Sequence, residues 1–412
     1  MPSAPKWWTF KFGLGYCDLP TLFWNVSIFL RVISLNIDKR TKGIPIPFYI
    51  ITVIFISCYF YVYLVSMCWY VFFYCRITND WISAIIVFSL GLSSEIGVCK
   101  LFYLYFYVRD LVAEYLICDS LLIPDSRFEG NILKAMRYVK KRAMIFWIVI
   151  MFDGFVYLTK PLILPGRHLP EDNFVLYSLD PALESPNFEI TYLLSIAGVI
   201  VTVYLPSNIT AFLIIITGYT EAQMLALSKE MLHIWDDAEE YYRKFQIKYE
   251  NYEVDKMKRT ILNKFVKYRL KDIVKIHTMN IKLLNGVESV FRGAIVIEFS
   301  LLIMSLTAEL VGGLQNTYLE VPFALMQVAM DCFTGQKVID ACIHFENAVY
   351  ACKWENFDKS NMATVLVILQ NSQKTMTLSA GGMTTLSYPS LMAILKSIYS
   401  AFTTLSSAVK KD

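Results

Sequence analysis

The stretch Ile44–Cys75 contains no charged side chain, and this single feature limits what the chain can fold into. A helix that crosses a bilayer needs about 20 consecutive, predominantly apolar residues. The whole chain is 56% hydrophobic and only 18% charged, whereas soluble domains contain about 45–50% apolar and about 25% charged residues. The sequence therefore predicts an integral membrane protein, and its net charge of +3 argues against a nucleic-acid partner.

Six further apolar stretches have comparable length, so we predict an all-α integral membrane fold with seven transmembrane helices. The predicted spans are Ile44–Cys75, Trp81–Tyr107, Ala143–Leu162, Ile190–Tyr219, Val287–Leu310, Pro322–Cys342 and Pro389–Val409. The fifth and sixth spans carry several charged residues and are the weaker predictions. Lys11, Asp18 and Arg31 interrupt Trp7–Leu35, which is more typical of an interfacial amphipathic segment.

Basic residues alternate between the connecting segments and predict the orientation. Lys and Arg cluster before span one and after spans two, four and six, whereas Val311–Val321 between spans five and six has none. This pattern predicts a cytosolic N-terminus and an extracellular C-terminus. G-protein-coupled receptors have the opposite orientation, so the pattern speaks against that class.

The polar segment 221–286 has apolar residues at three- and four-residue spacing, which predicts helical extensions of spans four and five into the cytosol. An amphipathic helix within Asn361–Leu378 could complete a cytosolic bundle. This bundle either caps one subunit as a simple hairpin or anchors an oligomer. The predicted segments are 1–43 (N-terminal, interfacial), 44–220 (spans one to four), 221–286 (anchor), 287–345 (spans five and six), 346–382 (anchor helix) and 383–412 (span seven).

No catalytic pattern occurs in the sequence. The four histidines lack metal-ligand spacing, and the nine cysteines contain no CxxC pair. Cysteines in apolar segments are more typical of small buried hydrophobic residues. We therefore expect no enzyme, no metal site and no cofactor.

The last predicted helix has two different faces. Gly381-Gly382 breaks the preceding helix, and Ser387 followed by Pro389 is typical of a helix start. Small or weakly polar residues form one stripe: Ser397, Ala401, Thr404 and Ala408. Bulky apolar residues form the opposite stripe: Leu395, Ile398, Phe402, Leu405 and Val409. The small stripe either lines a pore or packs closely against another helix, and the residues alone leave both interpretations open.

Several charged residues fall within or near the predicted spans, where an unpaired charge is costly. Glu95, Asp153 and Glu298 are expected to pair between helices or to face a wet cavity, and one candidate pairing joins Glu95 to Lys100. Glu309 and Glu320 either draw cations to a vestibule or stay exposed at the interface.

The C-terminal motifs resemble the signature of insect odorant receptors. They comprise Asp331-Cys332-Phe333-Thr334-Gly335-Gln336, Phe345–Tyr350, Lys353-Trp354, Gln373-Lys374, Thr377–Met383, Leu386–Tyr388 and Leu395–Thr403. Ile276–Asn280 and Ser185–Phe188 resemble the family's fifth-helix entry and second extracellular loop. A coupling or structural role is expected for Asp331.

The resemblance implies a tetrameric, ligand-gated, non-selective cation channel in the plasma membrane of a sensory neuron. In that family a variable odour-binding subunit assembles with a shared co-receptor, and monovalent and divalent cations permeate. The co-receptor resembles a longer chain with an extra insertion between spans four and five. That segment is compact here, so the odour-binding subunit is the expected role; a homomeric gustatory-type channel, a G-protein-coupled receptor and a transporter are the alternatives.

The same resemblance implies that the last helix lines the pore. Thr404 and Ala408 fall at the family's gate positions, and Ser407 falls near its filter position. These residues are smaller or more polar than in the co-receptor pattern. We therefore expect this chain to depend on its partner's bulkier residues to close the pore.

A volatile, apolar ligand needs an aromatic and aliphatic cavity with few polar groups, and we expect it in the outer half of the bundle. Candidate lining residues come from spans two, three, four and six, although plain helix packing explains each one singly. They are Phe88, Gly91, Leu92, Met151, Gly154, Phe155, Leu158, Ile196, Val199, Val203, Phe323, Met326, Gln327 and Met330.

Overall fold

A computed structural model describes residues 12–40, 43–124, 126–172, 174–249, 257–313 and 317–409. Lys11 lies outside these residues, as do the side chains of Ala408 and Val409. The longer helices within these residues, in chain order, are α1 Leu19–Val32, α2 Ile46–Thr78, α3 Trp81–Ser94, α4 Ile96–Ser120, α5 Arg127–Ile163, α6 Asn187–Tyr249, α7 Lys258–Gly312, α8 Glu320–Tyr350, α9 Lys359–Ser372 and α10 Tyr388–Val409. A short antiparallel hairpin, β1 Ser379–Ala380 and β2 Thr384–Thr385, precedes α10.

Five of the described helical segments are long and apolar enough to cross a membrane: α2, α3 joined to α4, α5, α6 and α7. The prediction of a predominantly helical chain with several membrane-length apolar helices is therefore confirmed. α8 and α10 coincide with the sixth and seventh predicted spans, but α8 carries Asp331, Lys337 and Asp340. α6 has 63 residues and is thus about 95 Å long, whereas a bilayer core is about 30 Å thick.

α6 is the central helix of the bundle and contacts α5, α8, α7, α2 and α4. Every residue from Leu205 to Thr220 on α6 is buried, so neighbours cover this part of the helix on every side. A helix that is apolar all round belongs inside a bundle. The remaining helices pack around α6, and their outer faces carry the exposed apolar side chains.

We call the end of the bundle at which α6 finishes and α7 begins the anchor end, and the opposite end the pocket end. At the anchor end Glu230 on α6 accepts two hydrogen bonds of 2.8 Å from Arg127 on α5 and also pairs with Arg269 on α7. Asn361 on α9 donates a 2.9 Å hydrogen bond to the carbonyl of Asn263 on α7. These polar contacts tie four helices together where the bundle extends beyond its most apolar part.

The chain enters α10 through the β hairpin. Gly381 and Gly382 have φ of +64° and +76°, which favour glycine, and the Gly381 amide donates to the carbonyl of Arg292 on α7 at 2.9 Å. Ser387 then accepts from the Ser390 amide, and α10 begins at Tyr388. The predicted start of the last helix near Ser387 is confirmed, whereas Gly381 and Gly382 turn the β hairpin and do not break a helix, because α9 already ends at Ser372.

Candidate ligand pocket and last helix

A small, partly open cavity lies at the pocket end between α2, α3, α5, α6 and α8. Its volume is about 40 Å³. Aliphatic and aromatic side chains form most of the wall, and two carboxyl groups and four hydroxyl groups complete it. The lining residues are Tyr63, Leu90, Ser93, Asp153, Gly154, Tyr157, Val199, Thr202, Val203, Leu319, Glu320 and Phe323.

Close helix contacts limit the size of this cavity. A Cβ atom placed on Gly154 of α5 would lie 2.8 Å from both γ-carbons of Val203 on α6. A Cβ atom on Gly198 of α6 would lie 2.9 Å from the Tyr63 ring of α2. Real Cβ contacts are almost never this short, so α5 and α2 can approach α6 this closely only because both positions are glycine.

Four predicted ligand residues line the cavity together: Gly154, Val199, Val203 and Phe323. Gln327 is buried one turn farther along α8, and Gly91 abuts Met67. Phe88 and Phe155 lie on the outer surface of the single chain. The other predicted residues are half-buried and lie outside the cavity lining: Leu92, Met151, Leu158, Ile196, Met326 and Met330.

Sequence reasoning missed six of the lining residues, and it named Asp153 and Glu320 only as charged residues. The six are Tyr63, Leu90, Ser93, Tyr157, Thr202 and Leu319. Tyr63 lies in the stretch Phe60–Ser66, which forms a π-helix. Tyr157 is three residues beyond Gly154 and therefore on the same helix face, so helical spacing was sufficient to find it. The uniformly apolar first span offered no comparable signal for Tyr63.

The loop between α5 and α6 closes the pocket end. Its side chains Leu169, Phe174 and Leu176 are buried. The Tyr157 hydroxyl, which belongs to the cavity wall, donates a hydrogen bond to the carboxyl group of Glu171. Tyr61 on α2 donates a 2.5 Å hydrogen bond to the carbonyl of Tyr177, so the loop is attached to two of the helices that form the cavity.

Glu171 makes the attachment of this loop dependent on pH. Burial raises the pKa of Glu171 from 4.5 to about 7, opposed by the Tyr157 hydroxyl and Lys160 and reinforced by Asp172. A carboxyl group with a raised pKa favours the docked loop when it is protonated. This stabilisation is complete below the ordinary pKa of 4.5 and is lost as the pH rises through about 7.

We expect amide hydrogen exchange within the loop to be slower at pH 5.5 than at pH 8 by about tenfold or more, after correction for the intrinsic rate. Exchange measured by mass spectrometry on purified protein tests this. Glu171→Gln should remove the pH dependence, whereas Glu184→Gln, at an exposed position of the same loop, should retain it. Equal corrected exchange in the unmodified protein at both pH values would contradict the prediction.

A row of buried residues runs along α8 from the cavity toward α10. Phe323 lines the cavity, and the Gln327 side chain accepts a 3.3 Å hydrogen bond from Thr210 on α6. Asp331 pairs with Lys100 at 3.1 Å. Gly335 lies against Leu386, two residues before the start of α10. Successive members are four residues apart, so they occupy one face of the helix.

The Lys100 ammonium group is the centre of a buried ion triad. Lys100 on α4 lies 2.8 Å from Glu298 on α7 and 3.1 Å from Asp331 on α8, and it donates a 2.9 Å hydrogen bond to Thr210. All three charged side chains are at most 1% exposed. The triad therefore joins α4, α6, α7 and α8 in the middle of the bundle.

Two expectations about charged residues are wrong. Pairing of Glu95 with Lys100 is wrong, because Glu95 lies at the break between α3 and α4, whereas Lys100 reaches α7 and α8. Surface exposure of Glu309 and Glu320 is also wrong: they are 0% and 6% exposed. Glu309 accepts a 2.7 Å hydrogen bond from Ser305 on its own helix.

α10 packs against α7 and α8 through one face only. Ile394 and Ile398 are buried, whereas Ser397, Thr404 and Ser407 are exposed in the single chain and Ala401 is half-buried. Each of the three hydroxyl groups donates to a carbonyl of its own helix. The side chain of Ala408 lies outside the described residues, so the described part of the small stripe is Ser397, Ala401 and Thr404.

Comparison with solved structures shows a shared fold. The insect olfactory receptor OR5 from Machilis hrabei matches with a TM-score of 0.72 and 13% identity, covering 95% of this chain and 98% of that one. The same receptor in complex with eugenol matches with a TM-score of 0.69 and 12% identity, covering 95% of this chain and 99% of that one.

Sequence comparison reaches the same group of proteins. Odorant receptor 22a of Drosophila melanogaster is 23% identical over 144 residues, which is 33% of this chain and 36% of the relative. Odorant receptor 22b of the same fly is 22% identical over 142 residues, 32% of this chain and 36% of the relative. The matched stretch thus spans only about a third of these relatives' length. The sequence profile described as "7tm Odorant receptor" covers far more, residues 90–399, and the chain therefore belongs to the 7tm odorant receptor family.

Proposed function

We propose that the chain is the odorant-binding subunit of a heterotetrameric, ligand-gated, non-selective cation channel that it forms with a co-receptor subunit. Family membership and the fold shared with a receptor solved in complex with eugenol support this role. The observation that carries it is the α8 row, which runs from a mostly apolar cavity to Leu386, two residues before the last helix.

In this proposal seven helices cross the plasma membrane of a sensory neuron, with α8 as span six and α10 as span seven. The N-terminus is cytosolic, and the anchor end forms a cytosolic bundle from the extensions of α6 and α7 together with α9. The one-sided packing of α10 supports a pore-lining role, because its exposed face needs other subunits to cover it. Monovalent and divalent cations pass the residues Ser397, Ala401, Thr404, Ser407 and Ala408.

The cavity is too small for an odorant in the state described. About 40 Å³ is room for roughly three waters, whereas ligand pockets usually hold about 300 Å³ or more. A ligand therefore has to move α5 or α8 away from α6. Binding that favours the expanded arrangement shifts the population toward it, and the α8 row carries the shift to Leu386 and α10.

Filling the cavity tests this mechanism. We expect Val199→Phe to raise the half-maximal odorant concentration by at least about tenfold, because the added ring occupies ligand space and overpacking costs about 1–3 kcal/mol. The measurement is whole-cell current in cells that co-express a co-receptor, with a panel of volatile esters, alcohols, aldehydes and amines. Surface labelling checks that the variant reaches the membrane.

Ile200→Phe is the matched control, because Ile200 is the next residue on α6 and is 39% exposed. Its response should equal that of the unmodified chain. Absence of current with every odorant and co-receptor would contradict the channel role. Current from this chain alone would instead favour the homomeric, gustatory-type alternative.

A further inference from the structure

The cavity wall is acidic. Asp153 and Glu320 contribute carboxyl groups, and none of the lining residues is Lys, Arg or His. Pockets for small ligands are mostly apolar and use a few polar groups to fix orientation. Two acids without a base in the wall indicate a ligand that supplies the missing positive charge.

Glu320 has one carboxyl oxygen without a hydrogen-bond partner in the described part of the chain, although its side chain also interacts with Ser89. It is 94% buried, being 6% exposed, and it lines the cavity at the first turn of α8. Its Oε2 atom has no hydrogen-bond partner among the described residues, and the same holds for Oε2 of Glu309. A buried polar atom without a partner costs free energy, and a carboxylate costs more than a neutral group.

Lys160 acts on Glu320 through space, but neither Lys160 nor Arg167 forms an ion pair with it among the described residues. The Lys160 ammonium lies over the Tyr318 ring at 5.3 Å, and Arg167 stacks over Phe188 at 5.4 Å. No ion pair to Glu320 within 4.0 Å occurs among the described residues. Glu171 differs from Glu320, because the Tyr157 hydroxyl already donates to it.

We propose that this cavity selects small apolar molecules that carry a protonated amine, with the ammonium group bound to Glu320. The inference rests on the proposed function, in which this cavity is the odorant site. An ammonium group has three donors and a positive charge, whereas a hydroxyl group has one donor. The ammonium therefore satisfies the orphan oxygen of Glu320 through a charge-assisted hydrogen bond and offsets its charge. Leu90, Val199 and Phe323 enclose the apolar body.

Three probes with one carbon skeleton separate the possible head groups: 3-methylbutylamine, 3-methylbutan-1-ol and 3-methylbutanal. Binding is measured as the thermal shift of the purified full chain in detergent, a readout that does not depend on gating. We expect the amine to reach half-saturation at a concentration at least about tenfold lower than the alcohol, and the aldehyde to bind no better than the alcohol.

Glu320→Gln keeps the shape and removes the charge. It should abolish the tenfold preference for the amine while leaving alcohol binding within about twofold, whereas the exposed Glu184→Gln should keep the preference. If Glu320→Gln does not fold, the ratio of amine to alcohol in the unmodified protein decides, because it requires no mutation.

Equal binding of amine and alcohol, a preference that survives Glu320→Gln, or no thermal shift with the amine would each overturn the proposal. Neutral odorants that evoke current in the presence of a co-receptor would, in any of these cases, leave the receptor function standing. Failure of the inference is thus distinguishable from failure of the proposed function.

Discussion

Replacing Lys100 with Met should strongly lower the stability of the fold. The substitution keeps the length of the side chain but removes the only cation that faces Glu298 and Asp331 within the triad. Two fully buried carboxyl groups then face each other without a counter-charge. Removing one partner from a buried ion network typically costs about 3–5 kcal/mol, and the whole margin of stability of a protein is only about 5–15 kcal/mol.

Thermal unfolding of the detergent-purified chain and its yield in the monodisperse peak measure this effect. Lys39→Met is the matched control, because Lys39 also pairs with an aspartate, Asp110 at 2.5 Å, but the two side chains are 56% and 77% exposed. An exposed pair of this kind contributes at most about 1 kcal/mol. Equal melting temperatures for the two variants would refute the structural role of the triad.

A second comparison separates stability from signalling. Replacing all three charges with apolar residues, as in Lys100→Met/Glu298→Leu/Asp331→Leu, should recover much of the lost stability, since an apolar replacement of a buried ion network is often neutral or stabilising. If the triad also couples the cavity to α10, the triple variant will fold but will respond weakly to odorant. A fully responsive triple variant would restrict the triad to a purely structural role.

The triad also illustrates why part of this fold was beyond sequence reasoning. Lys100 and Asp331 are 231 residues apart, and no helical period relates positions at that separation. Charge in an apolar segment indicates only that a partner exists. Glu95 is close to Lys100 in sequence, but residues five apart do not share a helix face. The helix also breaks at Glu95.

Features that depend only on residues close together in the sequence were, by contrast, predicted from the sequence. The uncharged stretch that ends at Cys75 forms most of α2, and the two glycines before α10 adopt the positive φ angles of a hairpin turn. For the cavity, spacing identified Gly154 and Val203, whose helices meet there. It missed Tyr63, because a π-helical stretch changes which residues share a face and the surrounding segment is apolar on all sides.

Gly335→Ala should abolish most of the odorant-evoked current while leaving the chain folded. The added Cβ atom would lie 2.4 Å from the Cβ atom and 2.4 Å from the carbonyl oxygen of Leu386. Backbone cannot move aside as a flexible side chain does. The Leu386 amide also donates to the Leu378 carbonyl at 2.8 Å, and the Tyr388 amide donates to Gln336 at 3.2 Å, so this segment is held from both sides.

Alanine favours a helix over glycine by about 1 kcal/mol, so the substitution stabilises α8 itself. Any loss of function then comes from displacement of Leu386 and the segment that leads into α10. A clash that costs about 1–3 kcal/mol at a joint between cavity and pore should raise the half-maximal odorant concentration or lower the maximal current by about tenfold or more. Current recorded with a co-receptor, normalised to surface protein, measures the effect.

Gly130→Ala on α5 is the control, because nothing lies within 4 Å of a Cβ atom at that position; it should be neutral or slightly stabilising. A Gly335→Ala chain with normal current and normal melting would mean that the segment before α10 shifts freely. The contact between α8 and Leu386 could then not transmit a displacement, because a joint that absorbs an added methyl group would absorb the movement caused by a ligand as well. The cavity would need another route to the last helix, through the packing of α7 against α10.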